Sequence, residues 1–329
     1  MARHIVDAGL VQVSESALPG LPLWRRNVDS VDIDNVAELS GLDASLIRHA
    51  AELYATGGKG KGKGSDGGYP PSILYNTAAH IGRGASLHTS DDPGAMTLAC
   101  NHLAMLTGNL GRPGGGVSAP RGSANYQGVT DMGASSRFLP GGIAVDSPGL
   151  SEDELASAIR SGRVRAMYIE ANMAPFSGQL SDDLQEALSQ LEFLVVADAY
   201  DTPLTKLAHI ALPRAMSLEV DGTMTNVDRT VQRVRATVPA AGEARPPVAY
   251  LPEIAAAMGV DLGITDAVSA MEEIGRVVAE YGGVTYARLE RHGLNVPVAS
   301  FADEGAAILV PGPDGLASLT PSMVNLAAD

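Results

Sequence analysis

The sequence predicts an α/β protein of two lobes, with mostly parallel sheets flanked by helices. Two observations carry this. The chain has 329 residues, beyond the roughly 250–300 at which a single hydrophobic core stops growing. Between residues 150 and 213, helical and strand patterns alternate, and such a succession builds a parallel sheet with helices packed on it.

Each element follows from its own pattern. Leu42, Leu46, Ile47, Ala50 and Tyr54 recur at helical spacing and Gly57-Gly58 ends the run, so 42–56 reads as a helix. The Gly/Lys tract at 57–68 reads as a flexible, solvated loop. Residues 72–75 read as a short buried strand. Asp92 suits a helix cap and Pro93 the first helical position. The helix that follows is apolar all round, with Ala95, Leu98, Ala99, Leu103 and Leu106 on one face and Met96, Cys100 and Met105 on the other, as in a buried helix. Residues 108–122 gather glycine and proline in a turn cluster.

Ser151 and Glu154 stand at capping-box spacing, and Gly162 follows the helix they open. A strand is expected at 164–169. The helix expected at 181–191 starts with acidic residues that suit its dipole. Residues 193–198 read as a fully buried strand ending in Asp198, then 202–208 as a short helix and 209–213 as a third strand. Pro246-Pro247 breaks the chain. Helices are expected at 248–258, with Leu251, Ile254, Ala255 and Met258 inward, and at 268–281. Residues 295–329 read as irregular.

Lys plus Arg number 23 and Asp plus Glu 38, a formal charge of −15. A phosphate backbone calls for the opposite sign, so nucleic acid is not an expected partner. Mean hydropathy is +0.06, and no run reaches the roughly 18 apolar residues of a membrane span. The first residues lack a long apolar stretch and read as no secretory signal, which makes the cytoplasm the expected compartment. The one cysteine, Cys100, sits in an apolar helical pattern and reads as a packed thiol. It cannot supply the thiolates of an iron–sulfur cluster, so none is expected within this chain. The seven histidines include no HExxH pair, and the chain has no GxSxG, Walker A or CxxC motif.

Ligands of open α/β sheets sit at the carboxyl ends of the strands, which marks Asp198 and the turn at 170–173. Asp198 there either accepts hydrogen bonds from a guanine or ribose or caps its own turn. Arg121, between Pro120 and Gly122, either clamps a carboxylate with its planar fork or makes a surface salt bridge.

Several stretches together resemble one family. Residues 103–114 (LAMLTGNLGRPG) resemble the LALLTGNIGRPG segment of molybdopterin oxidoreductases of the bis-molybdopterin-guanine-dinucleotide (DMSO reductase) group, closest to the formate dehydrogenase catalytic subunit. Residues 121–133 (RGSANYQGVTDMG) resemble their RGQNNVQGACDMG segment. Residues 191–198 (LEFLVVAD) are similar to their LEFLVVQD strand, and 221–226 with 231–234 to their EGTFTN…RVQRV hairpin. Order and spacing agree from near residue 1 to about 297.

The resemblance implies the middle domains of formate dehydrogenase. Residues 1–121 would be the later part of one α/β domain and 122–260 half of a second, cofactor-holding α/β domain. Residues 261–329 would be a helical and irregular extension. It also implies a molybdopterin guanine dinucleotide cofactor with molybdenum or tungsten. The chemistry would be interconversion of formate and CO2 by removal of a hydride equivalent. Arg121 matches the family's substrate-orienting arginine. Gly108, Asn109, Gly122, Asn125, Gln127, Gly128, Asn172, Ser177 and Asp198 match cofactor-contacting positions. The regions carrying the metal ligand, the cluster cysteines and the C-terminal barrel have no counterpart here, so other redox subunits would supply them. The chain would then be one part of a split or multi-subunit enzyme, or else a non-catalytic structural subunit of a redox complex.

The sequence departs from the family pattern at several positions. Ala171-Asn172-Met173 stands for Gly-Glu-Asn, Ala197 for a glutamine, Arg214 for a small or hydroxyl residue, and Ser123 for a glutamine.

Overall fold

The computed structural model describes residues 1–14, 21–57, 71–74, 93–110, 114–118, 124–171 and 180–306. The chain forms two compact units, one within Met1–Gly122 and one within Ser123–Ala307.

In the first unit α1 is Ala2–Asp7, α2 Leu21–Val28, α3 Ile33–Ser40 and α4 Ala44–Thr56. Asp43 caps α4, accepting the Ser45 N–H at 2.6 Å, and Gly57 ends it in the left-handed conformation. The expected helix is present, but its buried face differs. Ile47, Ala51, Tyr54 and Ala55 face inward, while Leu42 and Leu46 are exposed. Strand β1, Ser72–Leu74, pairs in parallel with β2, Gly116–Ser118, so part of the expected turn cluster is a strand. The short strand read as buried exposes Leu74. Between them α5, Pro93–Leu106, is buried only at its C-terminal end, with Ala104, Met105 and Leu106 inside and Leu98 and Ala99 exposed. Cys100 is half-buried. The expected Asp92 cap and the 58–68 part of the Gly/Lys tract lie outside the described residues. The core gathers Val6, Leu21, Trp24, Val28, Met105 and Leu106. Trp24 Nε1 donates to His102 Nδ1 at 3.1 Å, and burial pushes the His102 pKa down.

In the second unit α6 is Tyr126–Asp131, followed by a two-stranded ribbon of β3, Phe138–Leu139, and β4, Ile143–Ala144. Then comes the expected alternation: α7 Glu152–Arg160, β5 Ala166–Glu170, α8 Asp182–Leu188, β6 Phe193–Asp198, α9 Pro203–Leu207 and β7 Ile210–Pro213. Ser151 N–H donates to the Glu154 carboxylate at 2.9 Å, half of the expected capping box. Strands β5, β6 and β7 form a parallel sheet in that order. One face, through Met167, Ile169, Leu194 and Val196, packs on Ala156 and Ile159 of α7, Leu184 and Leu188 of α8, and Leu204 of α9. Phe193 is exposed, so the strand read as fully buried is so only from Leu194 onward, apart from the half-buried Val195.

After the sheet, β8, Gly222–Thr225, and β9, Thr230–Val234, make an antiparallel hairpin. The chain returns beside β7, with Arg245 N–H on the Pro213 carbonyl at 3.1 Å and Ala215 N–H on the Arg245 carbonyl at 2.9 Å. α10, Pro247–Ala257, follows, then α11, Ala267–Val277, α12, Tyr286–Leu289, and β10, Leu294–Asn295, which pairs with β9. Leu251, Ile254 and Met258 were expected inward, but all three are exposed and Tyr250 is the buried side chain of α10. The sequence reading sets 261–329 apart as an extension. In the structure Met271, Val278, Tyr281, Val284, Leu289, Leu294, Val296 and Val298 share a core with Val231 of the hairpin. The reason is that β9 alone cannot cover its apolar face, and the later segment supplies the missing wall.

Candidate functional site

Three groups of candidate residues fall among those described. The first surrounds α6. Asn125 Oδ1 accepts the Thr225 N–H at 2.8 Å, which ties the start of α6 to β8. Gln127 Nε2 donates to Asp131 Oδ1 at 2.7 Å. Tyr281 Oη donates to Asp131 Oδ2 at 2.7 Å and lies 3.0 Å from Thr225 Oγ1. Burial, chiefly, together with the Asp131 carboxylate, pushes the Tyr281 hydroxyl pKa up. Gly128 lies against Asn125, where any Cβ would overlap its Oδ1. Asn125 and Gly128 thus hold α6 on the hairpin, and Gln127 positions Asp131 within the helix. Their polar atoms serve this buried network, whose members Thr225, Asp131 and Tyr281 the sequence reading did not single out.

The second group closes α5. Gly108 has φ +61° and its N–H meets the Met105 carbonyl at 3.1 Å, a left-handed helix end. Asn109 is 3% exposed and its Nδ2 donates to Thr107 Oγ1 at 2.8 Å. Tyr54 Oη is buried near Asn109 and Thr107 without an aligned hydrogen bond to either, and burial pushes its pKa up against the opposing pull of those two groups.

The third group is the carboxyl end of the β5–β6–β7 sheet. Asp198 is 5% exposed. Its Oδ1 accepts the Ala199 N–H at 2.7 Å and its Oδ2 lies 3.5 Å from Thr202 Oγ1. Of the two readings open for Asp198, these contacts are those of turn capping. Register places Glu170 beside Ala197 and Ala197 beside Leu212, so their side chains share the opposite face from Asp198. On that face Arg214 Nε lies 2.6 Å from Glu170 Oε1. Its N–H points off the oxygen, so the contact is an ion pair rather than an aligned hydrogen bond. Tyr250 of α10 donates to the same carboxylate at 2.9 Å, and Tyr168 hydrogen-bonds to it as well. Burial above all, with help from Glu170, pushes the Tyr250 hydroxyl up to about 12 and that of Tyr168 higher still.

This arrangement joins two departures that sequence reading treated separately. Glu170 and Arg214 come from the outer strands and meet across the middle one, where Ala197 is fully buried. A small residue at 197 leaves the room that the arginine fills. Arg121, Gly122, Asn172 and Ser177 lie outside the described residues.

No group of three or more His, Cys, Asp or Glu side chains stands ready to hold a metal among the described residues. A mostly apolar cleft of about 530 Å³ in the first unit is lined by Trp24, Val28, Ile33, Val36, Leu39 and His102 among others, and by none of the candidate residues.

A nucleotide-bearing cofactor at the sheet would need free donors and acceptors at the strand ends. Here Asp198 is turned into its own loop, and the corner between β5 and β7 is filled by Glu170, Arg214 and Tyr250. The described residues of this corner do not fit that group.

The molybdopterin oxidoreductase family model matches residues 45–257. The alpha subunit of F420-dependent formate dehydrogenase 2 of Methanococcus maripaludis is 32% identical over 317 residues, 89% of this chain and 44% of that protein. The alpha subunit of F420-dependent formate dehydrogenase 1 of the same organism is 31% identical, over 96% of this chain and 47% of its own length. Among solved structures, acetylene hydratase from Pelobacter acetylenicus matches 98% of this chain and 46% of its own, with a TM-score of 0.62 and 17% identity, a likeness of fold alone. The chain spans less than half the length of each of these proteins. By the extent of these matches it belongs to the molybdopterin oxidoreductase family, which implies a molybdopterin cofactor with molybdenum or tungsten.

Proposed function

We propose that this chain is one part of a split or multi-subunit formate/CO2 oxidoreductase. A single observation carries the reading: alignment over 89–96% of this chain with formate dehydrogenase alpha subunits, of which it spans 44–47%. In this reading partner subunits bring the metal ligand and the iron–sulfur cluster. They also bring the residues that hold a molybdopterin guanine dinucleotide, and the assembly is cytoplasmic. Oxidation of formate releases CO2, one proton and two electrons. The role of this chain is to position the substrate anion through Arg121, whose guanidinium offers two parallel N–H donors to a carboxylate. The buried network of Asn125, Asp131, Thr225 and Tyr281 fixes the helix that follows that arginine in sequence.

The test is to purify the chain with its native partners and measure molybdenum, tungsten and formate-dependent dye reduction. One of the metals with formate-dependent reduction is the expected result. Absence of all three ends the proposal. The ion pair of Glu170 and Arg214 at the strand ends favours a second reading, a non-catalytic structural subunit of a redox complex. Stoichiometric pterin guanine dinucleotide on the purified chain would contradict it.

A further inference from the structure

Among the described residues, the parallel sheet of the second unit has three helices covering one face, while its other face meets only α10, at the sheet's carboxyl end. Its register puts Ala166, Tyr168 and Glu170 of β5, Phe193, Val195 and Ala197 of β6, and Ile210 and Leu212 of β7 on the face opposite α7, α8 and α9. Tyr168 is 40% exposed, Phe193 45% and Ile210 45%. α10 meets this face at its carboxyl end through Tyr250 and Glu170, and Leu251 and Ile254 beside it are exposed as well. Parallel sheets occur almost only with both faces covered, because their crossover connections lay helices on them. Three large apolar side chains on neighbouring strands form a contiguous patch, the kind that marks a contact surface.

We infer that this face docks the complementary half of a formate-dehydrogenase-type subunit, supplied by another polypeptide that lays an apolar helical layer on β5, β6 and β7. The inference rests on the reading of a divided enzyme. Two observations select this occupant. The relatives carry more than as much chain again as they share with this one, and a fold with both faces of the sheet covered needs that additional chain. A second copy is disfavoured by charge, since each copy carries −15 and like fields repel on approach.

The experiment is hydroxyl-radical footprinting of Tyr168, Phe193 and Ile210, on the native assembly and on the full chain alone. It is paired with the double variant Phe193→Glu, Ile210→Lys, which leaves the net charge unchanged. Expected are at least a fivefold drop in oxidation of the three side chains on assembly and at least a tenfold loss of the partner from the double variant. The melting temperature of the chain alone should stay within about 3 °C, since both sites are open in it. The retained partner should be a chain matching the remaining half of the relatives.

Equal oxidation in the assembly and in the isolated chain overturns the inference, as does a double variant that keeps its partner. Protection already present in the isolated monomer assigns the face to the chain itself and overturns it too. A dimer of the chain alone that the double variant dissociates assigns the face to a second copy, with the same result. An assembly that contains the partner and protects the face, yet holds no metal and oxidises no formate, sinks the proposed activity and leaves the docking face standing. A chain that purifies alone sinks both.

Discussion

At Gly128 a single added carbon would overlap Asn125 Oδ1 and come within 3.3 Å of Thr225 Oγ1. Asn125 cannot yield without giving up the Thr225 N–H it accepts. Gly128→Ala is therefore expected to cost about 1–3 kcal/mol, read as a lower denaturant midpoint at unchanged slope. Tyr54 presents the reverse case. Its hydroxyl is buried without an aligned partner, so Tyr54→Phe should leave stability within about 1 kcal/mol of the parent or raise it. A loss of more than about 2 kcal/mol would mean that the hydroxyl is bonded after all. Arg121 carries the chemistry proposed for the assembly. Lysine keeps the charge but not the planar fork, so Arg121→Lys should lower formate-dependent dye reduction by on the order of a hundredfold with partner and metal content retained. Unchanged reduction would remove the arginine from the site. The family resemblance marked Asn125, Gln127 and Gly128 as cofactor-contacting positions, not as parts of the tie between α6 and the hairpin. Thr225, the partner of Asn125, and Tyr281, the partner of Asp131, lie far along the chain, and local pattern carries no trace of such distant bonds.

Elements whose cues are local were legible. The alternation from α7 to β7 rests on capping residues and short apolar runs, and all three strands lie within a few residues of their expected places. The inward face of α10 was not legible, because its residues are apolar almost all round and periodicity cannot say which side finds a neighbour. The contact that decides it is Tyr250 on Glu170, between elements separated by two strands and a hairpin. The same contact sets a pH dependence. Burial and the accepting carboxylate raise the Tyr250 pKa from an ordinary 10.0 to about 12 in the folded chain. A raised folded value stabilises the fold below the unfolded pKa, and that contribution is lost as pH climbs through the folded one. Stability should thus fall between about pH 10 and 12, and Tyr250→Phe should fall less steeply over that window while being about 1–2 kcal/mol less stable near neutrality. Parallel curves for parent and variant would show that Tyr250 titrates at its ordinary value.

The two units each close their own core. The clusters around Trp24 and around Ile5 lie wholly before Gly122, and those around Leu194 and Val231 wholly after it. The second unit holds the parallel sheet, the hairpin and the segment that seals it, so a chain limited to residues 123–307 should keep one cooperative transition of its own. Cutting the same unit at residue 260 should abolish that transition. The cut removes Met271, Val278, Tyr281 and Val298 from the wall around Val231, and each loss of a buried side chain costs about 2–5 kcal/mol. Four such losses come to about 8–20 kcal/mol, as large as the whole 5–15 kcal/mol by which a domain of this kind is stable. If instead the 123–260 piece melts cooperatively near the temperature of the 123–307 piece, the later residues are dispensable and the hairpin is sealed by other contacts.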